Sequence, residues 1–267
     1  MAMKKSEITD KLDELLALFG GDKVLAINAL KTLGNHEYKN KNHSDKKIIS
    51  VLDLDKTYRL GGHAAKVLDG ISLDIYEGEF VAIEGVSGSG KSTLLQLIGG
   101  LDSPSAGRVI VNDEDISKLS DKRLSIFRNS IIGFVFQFFY LQPFLTLSKN
   151  IEIPAMPSRM DANYRRLRTT ELLDSVGLRN ERNHYPSQLS GGQIQRAAIA
   201  RALYNHPRII LADEPTGNLD SVNGRIIIDL FMEIRKKFGT TVVIVTHDHK
   251  IAKQADRVIT LADGKII

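Results

Sequence analysis

The sequence predicts an α/β fold with a mixed central sheet, and three observations support this prediction. A glycine-rich stretch, GVSGSGKST at residues 85–93, stands between the apolar run EFVAIE and the helical pattern LLQLIGGL. Two later apolar runs, RIILAD and TTVVIVTH, each follow a helical pattern, as central parallel strands do. Two earlier runs, IISVLDL and VLDGISLDIYEG, are typical of antiparallel strands, so we expect an additional antiparallel part.

The composition is that of an ordinary globular protein with a slightly basic charge. Of the 267 residues, 42% are apolar, and 36 Lys and Arg against 32 Asp and Glu give a formal net charge of +4. Because a dedicated nucleic-acid binder needs a stronger basic excess, we expect no nucleic-acid partner. The absence of cysteine excludes disulfides and thiolate metal sites. Since we find neither a secretory signal nor a membrane-spanning apolar run, we expect any spanning to come from another chain.

The hydrophobic pattern divides the chain into three parts. Residues 1–34 are predicted to form a helical hairpin, and the polar, aperiodic residues 35–47 are predicted to be a linker. Residues 48–267 form the main domain, in which about 121–190 is mostly helical in pattern and RVITLADGKII is a closing hairpin. The apolar face of the first helix, which ends with Phe19, could pack on the main domain, bind a membrane partner or hold the hairpin together. The last of these is favoured.

The glycine-rich stretch matches the phosphate-loop pattern G-x-x-x-x-G-K-S/T in the strand–loop–helix context that the pattern requires. Backbone N–H groups of the loop would face nucleotide phosphates, and the dipole of the following helix would add to the attraction. The Lys91 ammonium would bridge phosphate oxygens, and the Ser92 hydroxyl would bind Mg²⁺. The nucleotide-binding residues predicted here are Gly85, Val86, Ser87, Gly88, Ser89, Gly90, Lys91, Ser92 and Thr93.

Two acids follow the apolar run IILA, and their position predicts a hydrolytic role. Asp213 at the end of the strand would hold Mg²⁺ through its water shell. Glu214 beside it would accept a proton from an attacking water. The alternative, that these are only solvated charges at a strand end, is weakened by the phosphate loop predicted on the same sheet.

Three further side chains are candidates for the same site. The amide of Gln137, which follows the run IIGFVF, could coordinate Mg²⁺ or the water, or it could be a surface glutamine at a strand end. His247 ends the run TTVVIVTH and could contact a γ-phosphate, although a single histidine is often structural. Tyr58 lies among the antiparallel strands and could stack on a purine, or it could be a core tyrosine.

Six motifs in one order carry a family resemblance. The stretches GVSGSGKST, Gln137, LSGGQ, ILADEP, GNLD and His247 together resemble the ATP-binding-cassette (ABC) ATPases over residues 48–267. The resemblance implies a phosphate-loop NTPase cassette with an antiparallel β subdomain and a helical subdomain, which binds ATP and Mg²⁺ and hydrolyses ATP. Lys91, Gln137, Glu214 and His247 would then be the catalytic residues, with Ser92, Gln137 and Asp213 at the metal.

Members of this family pair head to tail, which implies a second set of nucleotide contacts. Ser190, Gly191, Gly192 and Gln193 of one copy would then contact the γ-phosphate bound to the other copy, and Asp220 would lie along the same interface. The implied partners are a second copy of the chain and a separate transmembrane permease. This would place the chain at the cytoplasmic face of the cell membrane as a peripheral subunit.

The motif surroundings LIGGLDSPSAG, FVFQFFYLQPFLTLSKNIEIP and PSQLSGGQIQRAAIARAL are similar to those of the lipoprotein-releasing and macrolide-exporting cassettes. Cassettes of cell division and bacitracin resistance are near relatives. The sequence departs from the family pattern at Glu84, Gln142, Ile194 and Ala197, none of which removes a catalytic group. We therefore expect an ATP-hydrolysing transporter subunit driven by ATP-dependent dimerisation. The alternative is a regulatory ATPase that switches a membrane-bound cell-division or stress-sensing partner without moving a substrate.

Overall fold

The computed structural model of this protein describes residues 16, 17, 19, 21, 25, 26 and 44–267. The strands of this part of the chain are β1 (Lys47–Leu60), β2 (His63–Tyr76), β3 (Phe80–Glu84), β4 (Ala106–Val111), β5 (Glu114–Asp115), β6 (Ile132–Val135), β7 (Ile209–Asp213), β8 (Thr241–Thr246), β9 (Arg257–Ala262) and β10 (Lys265–Ile266). Its helices are α1 (Lys91–Ile98), α2 (Asp121–Ile131), α3 (Leu147–Glu152), α4 (Ala162–Ser175), α5 (Gly191–Ala202), α6 (Ser221–Phe238) and α7 (His249–Ala252).

The strands form two sheets, as the sequence predicts. The larger sheet has six strands in the order β10-β9-β3-β8-β7-β6. Strands β9, β3, β8, β7 and β6 are parallel to their neighbours, and β10 is antiparallel to β9, so the predicted closing hairpin is confirmed. The smaller sheet is antiparallel with the order β2-β1-β4-β5, which confirms the predicted antiparallel part.

Alternate residues of the parallel strands face two different hydrophobic cores. Phe80 and Ala82 of β3 belong to the core that includes α5 and α6. Val81 and Ile83 belong to the core shared with α1 and the antiparallel sheet. Because both faces of the sheet are covered, these strands are apolar along their whole length rather than alternating with polar residues. This double burial fixes the positions of the strand ends, where the functional motifs lie.

One strand lies inside the range that the sequence predicts to be mostly helical, about 121–190. Residues Ile132–Val135 form β6, which pairs in parallel with β7. Gly133 allows the close approach of α5 here, because a Cβ atom at this position would lie 2.4 Å from the carbonyl oxygen of Ala202. The range is therefore interrupted by a strand, and a four-residue apolar run has no period that separates a strand from a helix.

The described residues of the N-terminal part pack on the main domain. Phe19 is buried, and its ring lies edge-on to that of Tyr164 with 4.7 Å between centroids and 6.2 Å from the ring of His206. Leu25 and Ala26 are buried in the same core. Of the three alternatives for the predicted hairpin, these residues show packing on the main domain. The rest of the hairpin, and the predicted linker up to residue 43, lie outside the described residues.

The end of the predicted linker already belongs to the antiparallel sheet. The Ser44 N–H donates to the Glu77 carbonyl oxygen at 2.9 Å, and β1 begins at Lys47 rather than at residue 48. The Lys46 ammonium also pairs with the Asp113 carboxylate at 2.7 Å. The polar sequence does not predict these contacts, because they are made by backbone groups and exposed charges rather than by apolar side chains.

A buried asparagine organises the loop between β6 and α3. The Asn150 amide nitrogen donates to the carbonyl oxygens of Gln142, Leu145 and Thr146 at 3.0, 3.0 and 3.2 Å. Its side-chain oxygen accepts from the Gln142 N–H at 2.6 Å, so one side chain satisfies four backbone groups. This loop continues the segment that carries Gln137, so its order contributes to the order of the site.

The substitution Asn150→Ala is expected to lower the free energy of unfolding by about 2–4 kcal/mol, because it leaves several buried backbone groups without partners. Urea denaturation of the full chain measures this. The matched control is Asn163→Ala on the exposed first turn of α4, which should stay within about 0.5 kcal/mol of wild type. Equal unfolding midpoints for the two variants would contradict the role given to Asn150.

Candidate active site

The predicted site residues from four separate motifs line one cavity. Its volume is about 570 Å³, and it lies where the parallel strands β3, β8 and β7 end. The phosphate loop contributes one wall, and Gln137, Glu214 and His247 contribute the other. The lining residues are Val67, Ser87, Gly88, Gly90, Lys91, Ser92, Thr93, Gln137, Glu214 and His247.

Close backbone packing explains two of the loop glycines. Gly85 has φ 157°, and a Cβ atom there would lie 2.1 Å from the Leu261 carbonyl oxygen. Gly90 has φ 102°, and a Cβ atom there would lie 2.9 Å from the Val67 carbonyl oxygen. Any side chain at either position would displace backbone, so the loop can follow this path only with glycine.

Lys91 is held across the mouth of the loop. It is the first residue of α1, is buried, and its ammonium donates to the Val86 carbonyl oxygen at 2.8 Å. A carbonyl oxygen is the type of acceptor that a phosphate oxygen can replace. The geometry therefore suits a lysine that moves its hydrogen bond to the phosphates when a nucleotide binds.

Ser92, which lines the cavity, is paired with Asp213 at the end of β7. The Ser92 hydroxyl donates to the Asp213 carboxylate at 2.9 Å. Burial raises the pKa of Asp213, and the neighbouring Glu214 charge raises it further, whereas Ser92 and Lys91 act in the opposite direction. A half-buried carboxylate that is costly to ionise gains from a divalent cation, and two hard oxygens suit Mg²⁺.

Within the part of the chain that the structure describes, no group of three His, Asp or Glu side chains is arranged to hold a metal ion. Mg²⁺ at Ser92 and Asp213 would therefore need phosphate oxygens and water to complete its shell. This is how Mg²⁺ is usually bound in nucleotide sites. The residues present thus fit Mg²⁺ only together with a nucleotide.

Glu214 and His247 are paired at the ends of adjacent strands. The Nδ1 atom of His247 lies 3.0 and 2.9 Å from the two carboxylate oxygens of Glu214. Glu214 has φ 46°, a left-handed conformation that costs free energy for a non-glycine residue. Its N–H donates to the Val245 carbonyl oxygen at 3.0 Å, which holds this turn in place. The turn directs the carboxylate into the cavity beside His247.

Gln137 is tied to the segment that follows Glu214. The Asn218 amide donates to the Gln137 carbonyl oxygen at 2.9 Å, and the Gln137 amide donates to the Asn218 side-chain oxygen at 3.4 Å. A Cβ atom on Gly217 would lie 3.0 Å from the Gln137 amide nitrogen. These contacts join the two segments at the cavity edge.

The LSGGQ residues do not line this cavity. Ser190 caps α5 through an oxygen that accepts from the Gln193 N–H at 3.3 Å, and the Gln193 side chain accepts from the Ser190 N–H at 2.9 Å. Ser190 and Gly191 are exposed, whereas a Cβ atom on Gly192 would lie 2.6 Å from the Asn223 side-chain oxygen. The structure of one chain thus leaves a helix N-terminus directed at solvent.

Asp220 also lies outside the cavity, at the N-terminus of α6. One carboxylate oxygen accepts from the N–H groups of Val222 and Asn223 at 3.0 and 2.9 Å. The pKa of Asp220 is lowered mainly by the hydrogen bond from the Asn223 backbone N–H, and next by the hydrogen bond from the Asn223 side chain. Within one chain Asp220 is therefore a helix cap, and its nucleotide contact at an interface with a second copy stays a prediction.

Tyr58 does not line the cavity either. The residue is 40% exposed, its hydroxyl donates to the Asp102 carboxylate at 2.8 Å, and the Lys56 ammonium lies 4.7 Å from the ring centroid. Stacking on a purine therefore stays a prediction for this residue. Sequence reasoning missed Val67 of β2, which lines the cavity, because an apolar strand residue carries no signal of a binding role.

Sequence reasoning also missed Gln195, which supports the turn at Glu214. Gln195 is fully buried on α5, and its amide donates to the Pro215 carbonyl oxygen at 2.7 Å. A signal was present, since Gln195 lies three residues after the buried Gly192 and on the same face of the helix, where a polar residue needs a partner. It joins the LSGGQ helix to the segment after Glu214.

These features define the class of protein: a nucleotide hydrolase with a phosphate loop, a half-buried acid beside a serine hydroxyl, and a paired acid and histidine. The family model described as ABC transporter matches residues 68–217, and the chain belongs to this family. It is accordingly an ATP-binding and ATP-hydrolysing cassette, which confirms the prediction from the motifs. In the described residues, none of the helices combines the length and apolar character needed to cross a membrane.

Similar proteins include transporter ATPases and a solved cassette. The chain is 49% identical over 202 residues to the lipoprotein-releasing system ATP-binding protein LolD of Bacteroides fragilis, covering 76% of this chain and 94% of that protein. It is 47% identical over 220 residues to the macrolide export ATP-binding/permease protein MacB of Brucella melitensis, covering 82% of this chain and 34% of MacB. The structure matches a dimeric, post-hydrolysis state of the cassette MJ0796 bound to ADP and Pi, with a TM-score of 0.76, 45% identity, and coverage of 82% and 96% of the two chains.

The raised pKa of Asp213 predicts that its ionised carboxylate lowers the free energy of unfolding at neutral pH. Because the folded-state value lies above the ordinary 3.8, ionisation opposes folding, and Asp213 loses its stabilising contribution as pH rises through the folded value. Asp213→Asn is therefore expected to raise the melting temperature of the nucleotide-free chain at pH 7, by roughly 1–3 °C. The gain should shrink as the pH approaches 4.

Scanning calorimetry at several pH values measures this difference. The control is Asp229→Asn on the exposed face of α6, which should leave the melting temperature unchanged across the same range. A lower melting temperature for Asp213→Asn at pH 7 would show that the buried charge is fully compensated in the folded state.

Proposed function

We propose that this chain is the ATPase subunit of an ABC transporter of the lipoprotein-release or macrolide-export type and that it works by ATP-driven dimerisation. One observation carries the proposal: the cavity holds the phosphate loop, Glu214 and His247, while Ser190 and Gly191 face solvent outside it. A second copy placed head to tail would bring an exposed helix N-terminus to the open side of each cavity. The names of the LolD and MacB relatives support the transporter type.

Within the cavity, each residue has a distinct role in hydrolysis. Loop N–H groups and the Lys91 ammonium bind the phosphates, and the N-terminus of α1 adds its dipole. Mg²⁺ held by Ser92 and Asp213, with Gln137 beside it, would neutralise charge on the β- and γ-phosphates. The Glu214 carboxylate takes a proton from the attacking water, and His247, oriented by Glu214, stabilises charge on the γ-phosphate.

The LSGGQ segment completes the site of the partner copy. Ser190, Gly191 and Gly192 would present hydroxyl and N–H donors to the γ-phosphate, with the dipole of α5 behind them. Asp220 would lie along the same interface. Because the donors and the phosphate loop belong to different copies, ATP would join the two chains and hydrolysis would release them, which converts chemical energy into movement.

A second cavity, of about 910 Å³, supports docking of a transmembrane permease. Apolar side chains such as Ile126, Phe134 and Phe136 line it, together with Arg128 and two other basic side chains. Among the described residues that line it there is no aspartate or glutamate. We infer that it receives an acidic, amphipathic cytoplasmic segment of the permease, which would hold the chain at the cytoplasmic face of the membrane.

The docking proposal is tested with the exposed side chain of Ile126. In cells of the native organism, Ile126→Asp should lower recovery of a polytopic permease, identified by mass spectrometry, by at least about ten-fold. Basal ATPase activity should stay within about two-fold of wild type. The control Leu167→Asp replaces an exposed aliphatic residue of α4 that does not line the cavity. Equal permease recovery with both variants would refute docking at this cavity.

The dimer mechanism is tested with Glu214→Gln, which removes the proton acceptor but keeps the side-chain shape. Hydrolysis should fall by about 10²–10⁴-fold, while Mg-ATP binding is retained. With ATP bound but not cleaved, the 29.6 kDa chain should elute as a stable dimer in size-exclusion chromatography with light scattering.

The control adds Ser190→Arg to the Glu214→Gln chain. A bulky cation at the N-terminus of α5 should block the approach of the partner and return the chain to a monomer in Mg-ATP. A Glu214→Gln chain that stays monomeric at saturating Mg-ATP, or a dimer that Ser190→Arg does not affect, would contradict the composite site.

A further inference from the structure

The loop after β8 carries two histidines, and each contacts a carboxylate at the end of a different neighbouring strand. His247 contacts Glu214 at the end of β7, as described above. His249 contacts Glu84 at the end of β3, with 2.9 Å between Nδ1 and Oε2. Since β8 lies between β7 and β3 in the sheet, the loop is fastened on both sides.

Glu84 is well placed to anchor this loop. It is the last residue of β3, pairs in register with Thr246 and Thr260, and directly precedes Gly85 of the phosphate loop. Its side chain is only 18% exposed, and its second carboxylate oxygen accepts from the Thr260 hydroxyl at 3.4 Å. Glu84 therefore belongs to the buried strand β3, from which the phosphate loop begins.

The position of the His247 ring depends on the loop backbone. The imidazole is 68% exposed, and its ring contact in the structure is with Glu214. Next to it, the Asp248 N–H donates to the Thr246 hydroxyl at 3.0 Å, and the Asp248 carboxylate accepts from the Lys250 N–H at 2.8 Å. These contacts order the loop internally, whereas His249 and Glu84 connect it to the phosphate-loop strand.

We infer that Glu84 and His249 are a positioning pair that holds the β8 loop so that the His247 imidazole lies against Glu214 and faces the γ-phosphate. The inference rests on the proposed roles of His247 and Glu214. Because the His249 side chain is 65% exposed, the pair adds little to overall stability. Its effect is on geometry, since small displacements of a catalytic group lower the rate strongly.

The inference is tested by steady-state ATP hydrolysis of the full chain with Mg-ATP. Glu84→Ala and His249→Ala should each lower kcat by about five-fold, the loss expected for one hydrogen bond, with KM for ATP within about two-fold and an unchanged melting temperature. The conservative variants Glu84→Gln and His249→Asn keep an acceptor and a donor and should retain most of the activity. The control is Asp113→Ala, which removes the exposed pair with Lys46 on the other sheet.

Two combinations show whether the pair acts through His247. The double variant Glu84→Ala with His249→Ala should be no slower than either single variant, because both remove the same contact. In a His247→Ala chain, Glu84→Ala should cause no further loss. An equal loss with and without His247, an unchanged kcat, or a loss confined to KM would each overturn the inference.

The outcomes separate this inference from the proposed function. If His247→Ala and Glu214→Gln hydrolyse ATP at the wild-type rate, the proposed catalytic roles fail and the inference fails with them. If those two variants are slow but Glu84→Ala and His249→Ala are not, only the positioning pair is refuted.

Discussion

The parallel pairing of β3, β8 and β7 is the constraint on which the rest of the site depends. Its register pairs Glu84 with Thr246 and Asp213 with Val245, so the carboxyl ends of the three strands lie side by side. Each of these strands is followed by a functional segment, so the phosphate loop, the histidine loop and the two acids meet although they are far apart in sequence. Burial of the sheet on both faces makes this register specific, because a slip by one residue would move each apolar side chain into the opposite core, where it does not fit.

The site keeps charges that oppose folding and benefit nucleotide binding. Asp213 is partly buried with a raised pKa, and Glu214 beside it has a left-handed backbone conformation. The buried Lys91 ammonium uses a backbone carbonyl oxygen as its partner. A nucleotide with Mg²⁺ would supply the opposite charges that these groups lack. Such a site is most stable when it is loaded, which suits a subunit driven by ATP binding.

The residue motifs predicted most of the site because each one combines a residue type with a position at a strand end. The phosphate loop, Gln137, Glu214 and His247 line one cavity, as their positions after apolar strands predict. Tyr58 and Asp220 lie outside this cavity, where their side chains contact Asp102 and Asn223. For Asp220 the prediction concerns an interface with a second copy, so it stays a prediction. The opposite holds for Gln195, which no motif identifies as functional. Its buried amide supports the turn at Glu214 through a hydrogen bond to the Pro215 carbonyl oxygen.

The sequence by itself determined the family, the two sheets and the chemical groups of the site, since hydrophobic periodicity and short motifs are local properties. Only the tertiary structure decided which groups meet. It made Ile132–Val135 a strand, joined Phe19 to Tyr164, and set His249 against Glu84. These contacts join residues that are distant along the chain, and their geometry follows from how the sheet and helices pack rather than from any local pattern.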